Sequence, residues 1–169
     1  MEKQALLSTI QDQLKAKFGE AFVSAQLDYD FPVFTVKKES IIDILRFLKE
    51  DPELNFHFLT TLCVIHYPKD KGREFCVMYQ LHNMVKNYRI RLKIYTASSD
   101  TTVPTATVLY PSANWMERQE YDFFGINFKG HPNLKRILNM DEMNYFPMRK
   151  EYALEDGSRN DKDDTMFGR

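Results

Sequence analysis

The sequence predicts an α+β domain of two layers, in which helices lie on one face of a mostly antiparallel or mixed sheet of about five strands. Two observations predict this class. Apolar residues recur at every third or fourth position in two segments, which is typical of amphipathic helices, and they alternate with polar residues in several others, which is typical of strands. The order is helix, two strands, helix and three strands, and an irregular, extended segment forms the C-terminal part.

The first helix is predicted at residues 2–18, because apolar side chains recur every four residues from Leu6. Gly19 is placed to end this helix, since glycine readily adopts the left-handed conformation of a C-cap. Alternating apolar and polar residues at 23–29 and again at 33–37 then predict a hairpin.

The second helix is predicted to begin after Ser40, because Asp43 stands at the acidic position of a capping box, and to end at Asp51 and Pro52. Strand-like alternation resumes after this helix. Three further strands are predicted at residues 58–66, 74–81 and 88–95, followed by a short strand at 106–110.

A third helix is predicted from Asn114 to Phe124, because Glu117 follows Asn114 at the spacing of an N-terminal capping box and Gly125 is placed to end the helix. Regularity fades beyond this glycine. The predicted division of the chain is an α+β domain at 1–125, an extended partner-binding segment at 126–152 and a polar, flexible tail at 153–169.

Charge and hydropathy exclude several classes of protein. The 23 Lys and Arg residues nearly balance the 24 Asp and Glu residues, and the net charge of -1 provides no basic field for nucleic acid. No stretch reaches the roughly 18 consecutive apolar residues of a membrane span, so a role at a membrane has to be peripheral. The N-terminus resembles neither a signal peptide nor a transit peptide, which predicts a cytoplasmic protein.

Glycine usage argues against an enzyme that binds a nucleotide by itself. The chain has six glycines and lacks a Gly-x-Gly-x-x-Gly motif. The spacing from Gly125 to Gly130 matches that of a phosphate-binding loop, but His131 and Pro132 follow where such a loop requires Lys and then Ser or Thr.

A zinc site is one candidate, because Cys63, His66, Cys76 and His82 supply the ligand types of tetrahedral zinc. In a strand at 58–66, however, Cys63 and His66 point to opposite faces and cannot chelate one ion without a bulge. We therefore favour a buried thiol and a strand-end histidine, and expect no bound metal.

A basic stripe is a second candidate, because Arg89, Arg91 and Lys93 follow Tyr88 in a pattern that suits single-stranded nucleic acid. Apolar residues alternate with these cations, as they do in any half-exposed antiparallel strand. We therefore expect no nucleic-acid partner.

The densest group of charged side chains lies at residues 117–122, among large aromatic residues. Arg118 and Asp122 are four residues apart and can pair on a helix. One interpretation is acid–base catalysis by Glu117, Asp122 and His131, since apolar surroundings raise the pKa of a carboxyl group. The other is a structural ion-pair network, which we favour because no nucleophile motif accompanies these residues.

The same region carries a long signature, which is followed by a shorter match. It reads Ala-Asn-Trp-Met-Glu-Arg at 113–118, Tyr-Asp-Phe-Phe-Gly-Ile at 121–126, Phe-Lys-Gly-His-Pro at 128–132, Leu-Lys-Arg-Ile-Leu at 134–138 and Pro-Met-Arg-Lys-Glu-Tyr at 147–152. This signature resembles that of the 30 kDa subunit, also called the C subunit, of NADH:quinone oxidoreductase (respiratory complex I). The residues that carry the resemblance as family signature or interface positions are Trp115, Glu117, Arg118, Asp122, Gly125, Gly130, His131, Pro132, Arg136, Arg149 and Lys150.

The sequence departs from the family pattern at four positions. Gln119 replaces a third acidic residue, whereas Lys135, Met148 and Glu151 keep the size or charge type of the family residue. The departure at Gln119 argues against an essential carboxylate at that position.

The resemblance implies a structural subunit that binds no cofactor or metal itself and does not oxidise NADH. It would belong to the peripheral arm of a complex that uses FMN, iron–sulfur clusters and quinone, and that couples electron transfer to proton translocation. It would lie on the cytoplasmic side of a bacterial inner membrane and associate with the membrane only through the complex.

The main partner implied by the resemblance is the D subunit of the complex, whose interface with the B subunit forms the quinone site. The B subunit itself and other peripheral-arm subunits would be further partners. The irregular segment would lie on the D subunit, since aromatic residues and Arg are enriched at interface cores. We expect the polar tail and much of residues 139–152 to be poorly ordered in the isolated chain, since they have little of their own domain to pack against. A homologous subunit of a membrane-bound hydrogenase or of a ferredoxin-fed complex is the alternative.

Overall fold

A computed structural model describes residues 3–152, so the polar tail predicted at 153–169 lies outside the described residues. The α+β class is confirmed, with helices and a mixed sheet in the predicted order. The helices and strands, in chain order, are α1 (Lys3–Phe18), β1 (Phe22–Asp28), β2 (Phe31–Val36), α2 (Ile41–Glu50), β3 (Phe58–His66), β4 (Phe75–Asn83), β5 (Tyr88–Thr96), β6 (Thr102–Pro104), α3 (Ala113–Phe124) and β7 (Asn127–Lys129).

The main sheet has five strands in the order β1-β2-β5-β4-β3. The pairs β1–β2, β4–β5 and β3–β4 are antiparallel, and β2–β5 is parallel. The strands β1 and β3 therefore form the two edges of the sheet. The parallel pair arises because α2, β3 and β4 separate β2 from β5 in the chain, which gives the crossover length that parallel pairing requires.

The core lies between one face of this sheet and the helices α1 and α2. The fully buried side chains of Phe34, Leu92 and Tyr79 occupy neighbouring strands of that face. Each large apolar side chain buried here contributes about 1.5–3 kcal/mol relative to an exposed one. The helices contribute Leu6, Leu7, Ile10 and Leu14 from α1 and Ile41, Ile44, Leu45 and Leu48 from α2.

The predicted capping box at the start of α2 is wrong. Ser40 makes no side-chain cap hydrogen bond, and the Asp43 carboxylate instead pairs with Arg46 at 3.0 Å. The predicted end of the helix is correct, because α2 ends at Glu50. Asp51 then accepts the backbone N–H groups of Glu53 and Leu54 on its Oδ1.

The predicted strand at 106–110 is also wrong. The carbonyl of Ala106 accepts the N–H groups of both Leu109 and Tyr110, so this segment is a turn. A three-residue strand, β6, precedes it and pairs in parallel with β7. Ile126 and Phe128 beside this pair are buried in the chain's own core, although they fall within the segment predicted to bind a partner.

Candidate functional site

The site is built around α3, which packs along the edge strand β3. The predicted N-terminal box of Asn114 and Glu117 is wrong, because Ser112 is the N-cap residue and it makes no side-chain cap bond. The predicted C-terminus is correct. Gly125 adopts the left-handed conformation with φ +73°, and its N–H donates to the carbonyl of Tyr121 at 2.9 Å.

Glu117 holds α3 against the loop that follows β6. Its fully buried carboxyl group accepts the Thr105 hydroxyl at 2.5 Å and the Ala106 N–H at 2.6 Å. Burial raises the pKa of Glu117 to about 7, and the two hydrogen bonds oppose this shift without cancelling it. The residue therefore positions a loop.

Glu120 makes the equivalent contact on the sheet side of α3. Its Oε2 accepts the N–H of Val64 at 2.8 Å, a group on the outer side of the edge strand β3. Burial raises the pKa of Glu120 to about 7, against hydrogen bonds from Val64 and Gln119. Sequence reasoning did not single out Glu120. An edge strand leaves backbone N–H groups unpaired, and this could have indicated that a nearby carboxylate accepts one of them.

Asp122 accepts five hydrogen bonds from the chain beyond β7. Its Oδ2 accepts the consecutive N–H groups of Ile137, Leu138 and Asn139 at 2.8–3.1 Å. Its Oδ1 accepts Arg136 Nη1 at 2.8 Å and Asn139 Nδ2 at 3.0 Å. Burial alone raises the pKa of Asp122, but the donors outweigh burial and hold the pKa well below its usual range.

Arg136 is the ion-pair partner of Asp122, so the predicted Arg118–Asp122 pair is wrong. The exposed fractions of the Arg136 and Asp122 side chains are 8% and 0%. Arg136 Nη2 also donates to the carbonyl oxygens of Met143 at 2.8 Å and Tyr145 at 3.1 Å. One guanidinium therefore joins α3 to a loop that has no regular secondary structure.

Arg118, which lies on α3 one turn before Asp122, also fixes the backbone of this loop. Its Nε and Nη2 donate to the carbonyl oxygens of Lys135 and Arg136. Its guanidinium carbon lies 4.7 Å from the centre of the Trp115 ring, which is 64% exposed. Arg118 therefore supports an exposed indole and fixes the backbone beside it.

His131 forms hydrogen bonds with the start of α3 and with its own loop. Its Nε2 donates to the carbonyl of Asn114 at 3.1 Å, and its Nδ1 accepts the N–H of Asn133 at 3.0 Å. No hydrogen bond among residues 3–152 joins Glu117, Asp122 and His131 to one another. The three residues therefore do not form the hydrogen-bonded group that joint acid–base catalysis would use.

Two other signature residues next to His131 contribute to the turn after β7. Gly130 has φ +89°, and an added Cβ would lie 3.3 Å from Thr105. Pro132 is exposed. They connect β7 to the segment that follows.

Residues 130–152, here called the strap, return to the domain at their far end. Arg149 Nε donates to the carbonyl of Phe124 at 2.7 Å, and the Lys150 N–H donates to His66 Nδ1 at 3.0 Å. The Phe146 ring covers Gly125 so closely that an added Cβ would lie 2.4 Å from a ring carbon. These contacts run against the expectation that residues 139–152 have little of their own domain to pack against at residues 146–150, whereas the expected poor order of the stretch stays a prediction.

The strap exposes several large apolar side chains, alongside charged residues such as Asp141 and Glu142 that are exposed as well. Leu138 and Met140 are 65% and 69% exposed, and Met148 is 53% exposed. The rings of Tyr145 and Tyr152 lie 5.1 Å apart and are also exposed. Together with Trp115, these side chains form what is here called the outer surface of the strap.

Two further properties bear on function. Residues 3–152 contain no group of three or more His, Cys, Asp or Glu side chains placed to hold a metal ion. Cys63 and His66 lie on opposite faces of β3, and His66 Nδ1 is occupied by Lys150. None of the helices within the described part of the chain is both long and apolar enough to cross a membrane.

The fold and site define a two-layer α+β domain whose C-terminal strap displays an apolar surface. The model of the family described as "Respiratory-chain NADH dehydrogenase, 30 Kd subunit" matches residues 34–158. The chain belongs to this 30 kDa subunit family, which confirms the resemblance seen in the sequence.

Named relatives agree with this assignment. The chain is 41% identical to the C subunit of NADH-quinone oxidoreductase from Roseiflexus sp. (strain RS-1), over 87% of this chain and 84% of the relative. It is 39% identical to the C subunit from Citrifermentans bemidjiense, over 87% of this chain and 89% of that relative. The match to the C subunit from Streptomyces coelicolor, at 40% identity, covers 72% of this chain but only 48% of that relative.

Solved structures share the fold. A trypsin-resistant fragment of Nqo5 superposes with a TM-score of 0.64 at 24% identity, over 79% of this chain and all of that one. A chain of the membrane-bound sulfane sulfur reductase, an archaeal respiratory membrane complex, superposes with a TM-score of 0.73 at 23% identity, over 91% and 87%.

Proposed function

We propose that this protein is a cofactor-free, non-catalytic subunit of the peripheral arm of a bacterial NADH:quinone oxidoreductase, on the cytoplasmic side of the inner membrane. Electron transfer from NADH through FMN and iron–sulfur clusters to quinone, coupled to proton translocation, takes place in its partners. Its own role is to dock through the strap on the D subunit, whose interface with the B subunit forms the quinone site. Family membership supports the complex, and the geometry of the strap supports the docking.

The single observation that carries the docking proposal is the division of the strap into two sides. Arg136 and Arg149 of the strap turn inward and donate to a carboxylate and to carbonyl oxygens of this chain. Several large apolar side chains of the strap are instead exposed. Exposed apolar side chains that lie close together, as Leu138 and Met140 do in the chain and the Tyr145 and Tyr152 rings do in space, mark interaction sites, because a monomer gains nothing by displaying them.

The acid–base alternative requires carboxyl groups that can reach a substrate. Glu117 and Asp122 are fully buried, and their oxygens are occupied by loop and strap donors. These contacts favour a structural role for both carboxylates. A subunit of a hydrogenase or ferredoxin-fed complex would use the same strap, and its neighbouring subunits would distinguish it from the proposed complex.

Co-purification of a tagged chain from gently washed membranes tests the docking. We expect the wild type to recover the D subunit, and the double variant Leu138→Asp, Met140→Asp to recover at least about tenfold less, since two interface side chains together exceed about 1.4 kcal/mol. Val85→Asp is the matched control, because Val85 is 83% exposed and lies far along the chain in the turn between β4 and β5. If all three proteins recovered the same amount of the D subunit, the proposal would be contradicted.

A further inference from the structure

The two edges of the main sheet differ in how their backbone groups are satisfied. The β3 edge is covered by α3, and Glu120 accepts the outward N–H of Val64. The outer side of β1, here called the β1 edge, has no such helix or carboxylate on it within the described part of the chain. Within residues 3–152, no loop, cap or side-chain hydrogen bond reaches the backbone of Ser24 to Leu27 from outside the β1–β2 ladder.

The hairpin geometry shows which groups point outward. Tyr29 and Asp30 have φ values of 45° and 69°, as in a two-residue type I′ turn, so the closing pair Asp28–Phe31 is hydrogen-bonded. Pairs alternate along an antiparallel ladder, and Leu27 lies opposite Pro32, which has no N–H. By this alternation Ala25 and Leu27 direct their N–H and C=O groups to the β1 edge.

The β1 edge also lacks the residues that usually prevent strand addition. Residues 22–28 read Phe-Val-Ser-Ala-Gln-Leu-Asp and contain no Lys, Arg or Pro. The acid of this strand, Asp28, already lies 3.6 Å from Lys93. Val23 and Leu27 are 56% and 43% exposed. Only the bulge between Phe22 and Ser24 interrupts the edge.

We propose that the β1 edge receives an extended segment of another subunit of the same complex, which adds to the sheet as a sixth strand. The segment is apolar at the residues that flank Val23 and Leu27. Its end beside Val23 carries an acidic side chain for Arg73, which lines a cavity of about 310 Å³ there and has no carboxylate within 4.0 Å among residues 3–152. The other two cations of this cavity, Lys37 and Lys38, already lie 4.0 and 2.5 Å from Glu20 and Asp100.

A neighbouring subunit fits this edge better than a second copy of the chain. Seven edge residues form only a few ladder hydrogen bonds, and a two-stranded contact of that size is marginal by itself. When the strap already holds the chain on a partner, the second contact becomes intramolecular and a short strand suffices. The inference therefore rests on the proposed function.

Hydrogen exchange resolved to single amides tests the proposal on the free full chain and on the purified complex. In the free chain we expect fast exchange at Ala25 and Leu27 and slower exchange at Gln26, whose N–H faces β2. In the complex we expect Ala25 and Leu27 to exchange at least about tenfold more slowly. Slow exchange at both residues in the free chain would overturn the proposal, because the edge would then be occupied by the chain itself or by a second copy.

Two proline variants provide the matched comparison. Ala25→Pro removes an outward N–H, which an edge strand tolerates, and should leave the unfolding midpoint of the free chain close to wild type. Gln26→Pro removes an N–H of the β1–β2 ladder and should lower that midpoint. In the complex, Ala25→Pro should abolish the protection of Leu27.

The outcomes separate this inference from the docking proposal. If the chain co-purifies with the D subunit, yet Ala25 and Leu27 exchange as fast as in the free chain, the added strand is refuted and the docking stands. If the chain recovers no other component of the complex, both proposals fail.

Discussion

The sheet body, defined here as residues 3–129, and the strap are stabilised by different physical means. In the body, many buried apolar side chains each contribute to stability. Replacing one of them, such as Leu45 by Ala, should lower the free energy of unfolding by about 2–5 kcal/mol without changing the order of the strands. The strap has no regular structure of its own and depends on a few charged side chains, above all Arg136 and Asp122. Stability is therefore distributed in the body and concentrated in the strap.

The largest expected effect follows from breaking the central ion pair. Asp122→Ala leaves the buried Arg136 guanidinium and three backbone N–H groups without their acceptor, and should cost about 3–5 kcal/mol of unfolding free energy. Urea unfolding measures this cost. The matched control is Asp43→Ala, which breaks the exposed pair with Arg46 and should cost under about 1 kcal/mol. Similar losses for the two variants would show that the strap does not depend on Asp122.

A smaller effect is expected where the strap crosses the end of α3. Gly125→Ala combines a left-handed backbone with displacement of the Phe146 ring, and should cost about 2–3 kcal/mol. Gly72→Ala is the control, because φ is +81° there but an added Cβ meets nothing within 4 Å. The midpoint temperature of thermal unfolding should therefore be clearly lower for Gly125→Ala than for Gly72→Ala. If the two variants unfolded at the same temperature, the Phe146 contact would contribute nothing.

The smallest expected effect is a pH dependence of the free energy of unfolding, which comes from Glu117 and Glu120 on α3. Burial raises the folded-state pKa of Glu117 and Glu120 to about 7, above the ordinary 4.5. Their stabilising contribution is full below pH 4.5 and is lost as the pH rises through 7. His66 acts in the opposite direction at lower pH, because burial lowers its pKa and its contribution is lost as the pH falls below its ordinary value of 6.5.

Between about pH 6.5 and about pH 8 the two glutamates dominate the change in stability, because only the upper end of the unfolded-state titration of His66, with its ordinary pKa of 6.5, overlaps this window. Wild-type unfolding free energy, measured with urea, should decrease across this window, and Glu117→Gln should decrease less because one titrating group is gone. Identical slopes for the two proteins would contradict a raised pKa at Glu117.

The sequence predicts the body better than the strap, and the reason lies in the range of the interactions. The helices α1 and α2 and the strands β3 to β5 follow from local periodicity, which each segment carries by itself. The i,i+4 spacing predicted an Arg118–Asp122 pair, but Arg136, fourteen residues beyond Asp122, takes the carboxylate instead. The pairing of β6 with β7 likewise joins three-residue strands too short to show a pattern. Arg118, Asp122 and Arg136 were singled out from the sequence, whereas the groups that they bind were not.

Oxidative footprinting of methionines, compared between the free chain and the purified complex, tests the central claim that the strap docks by its outer surface. Met140 and Met148 are 69% and 53% exposed on that surface, and Met84 is 56% exposed in the turn between β4 and β5. We expect Met140 and Met148 to become protected in the complex, while Met84 is oxidised at the same rate in both. Equal oxidation of Met140 and Met148 in the free chain and in the complex would contradict it.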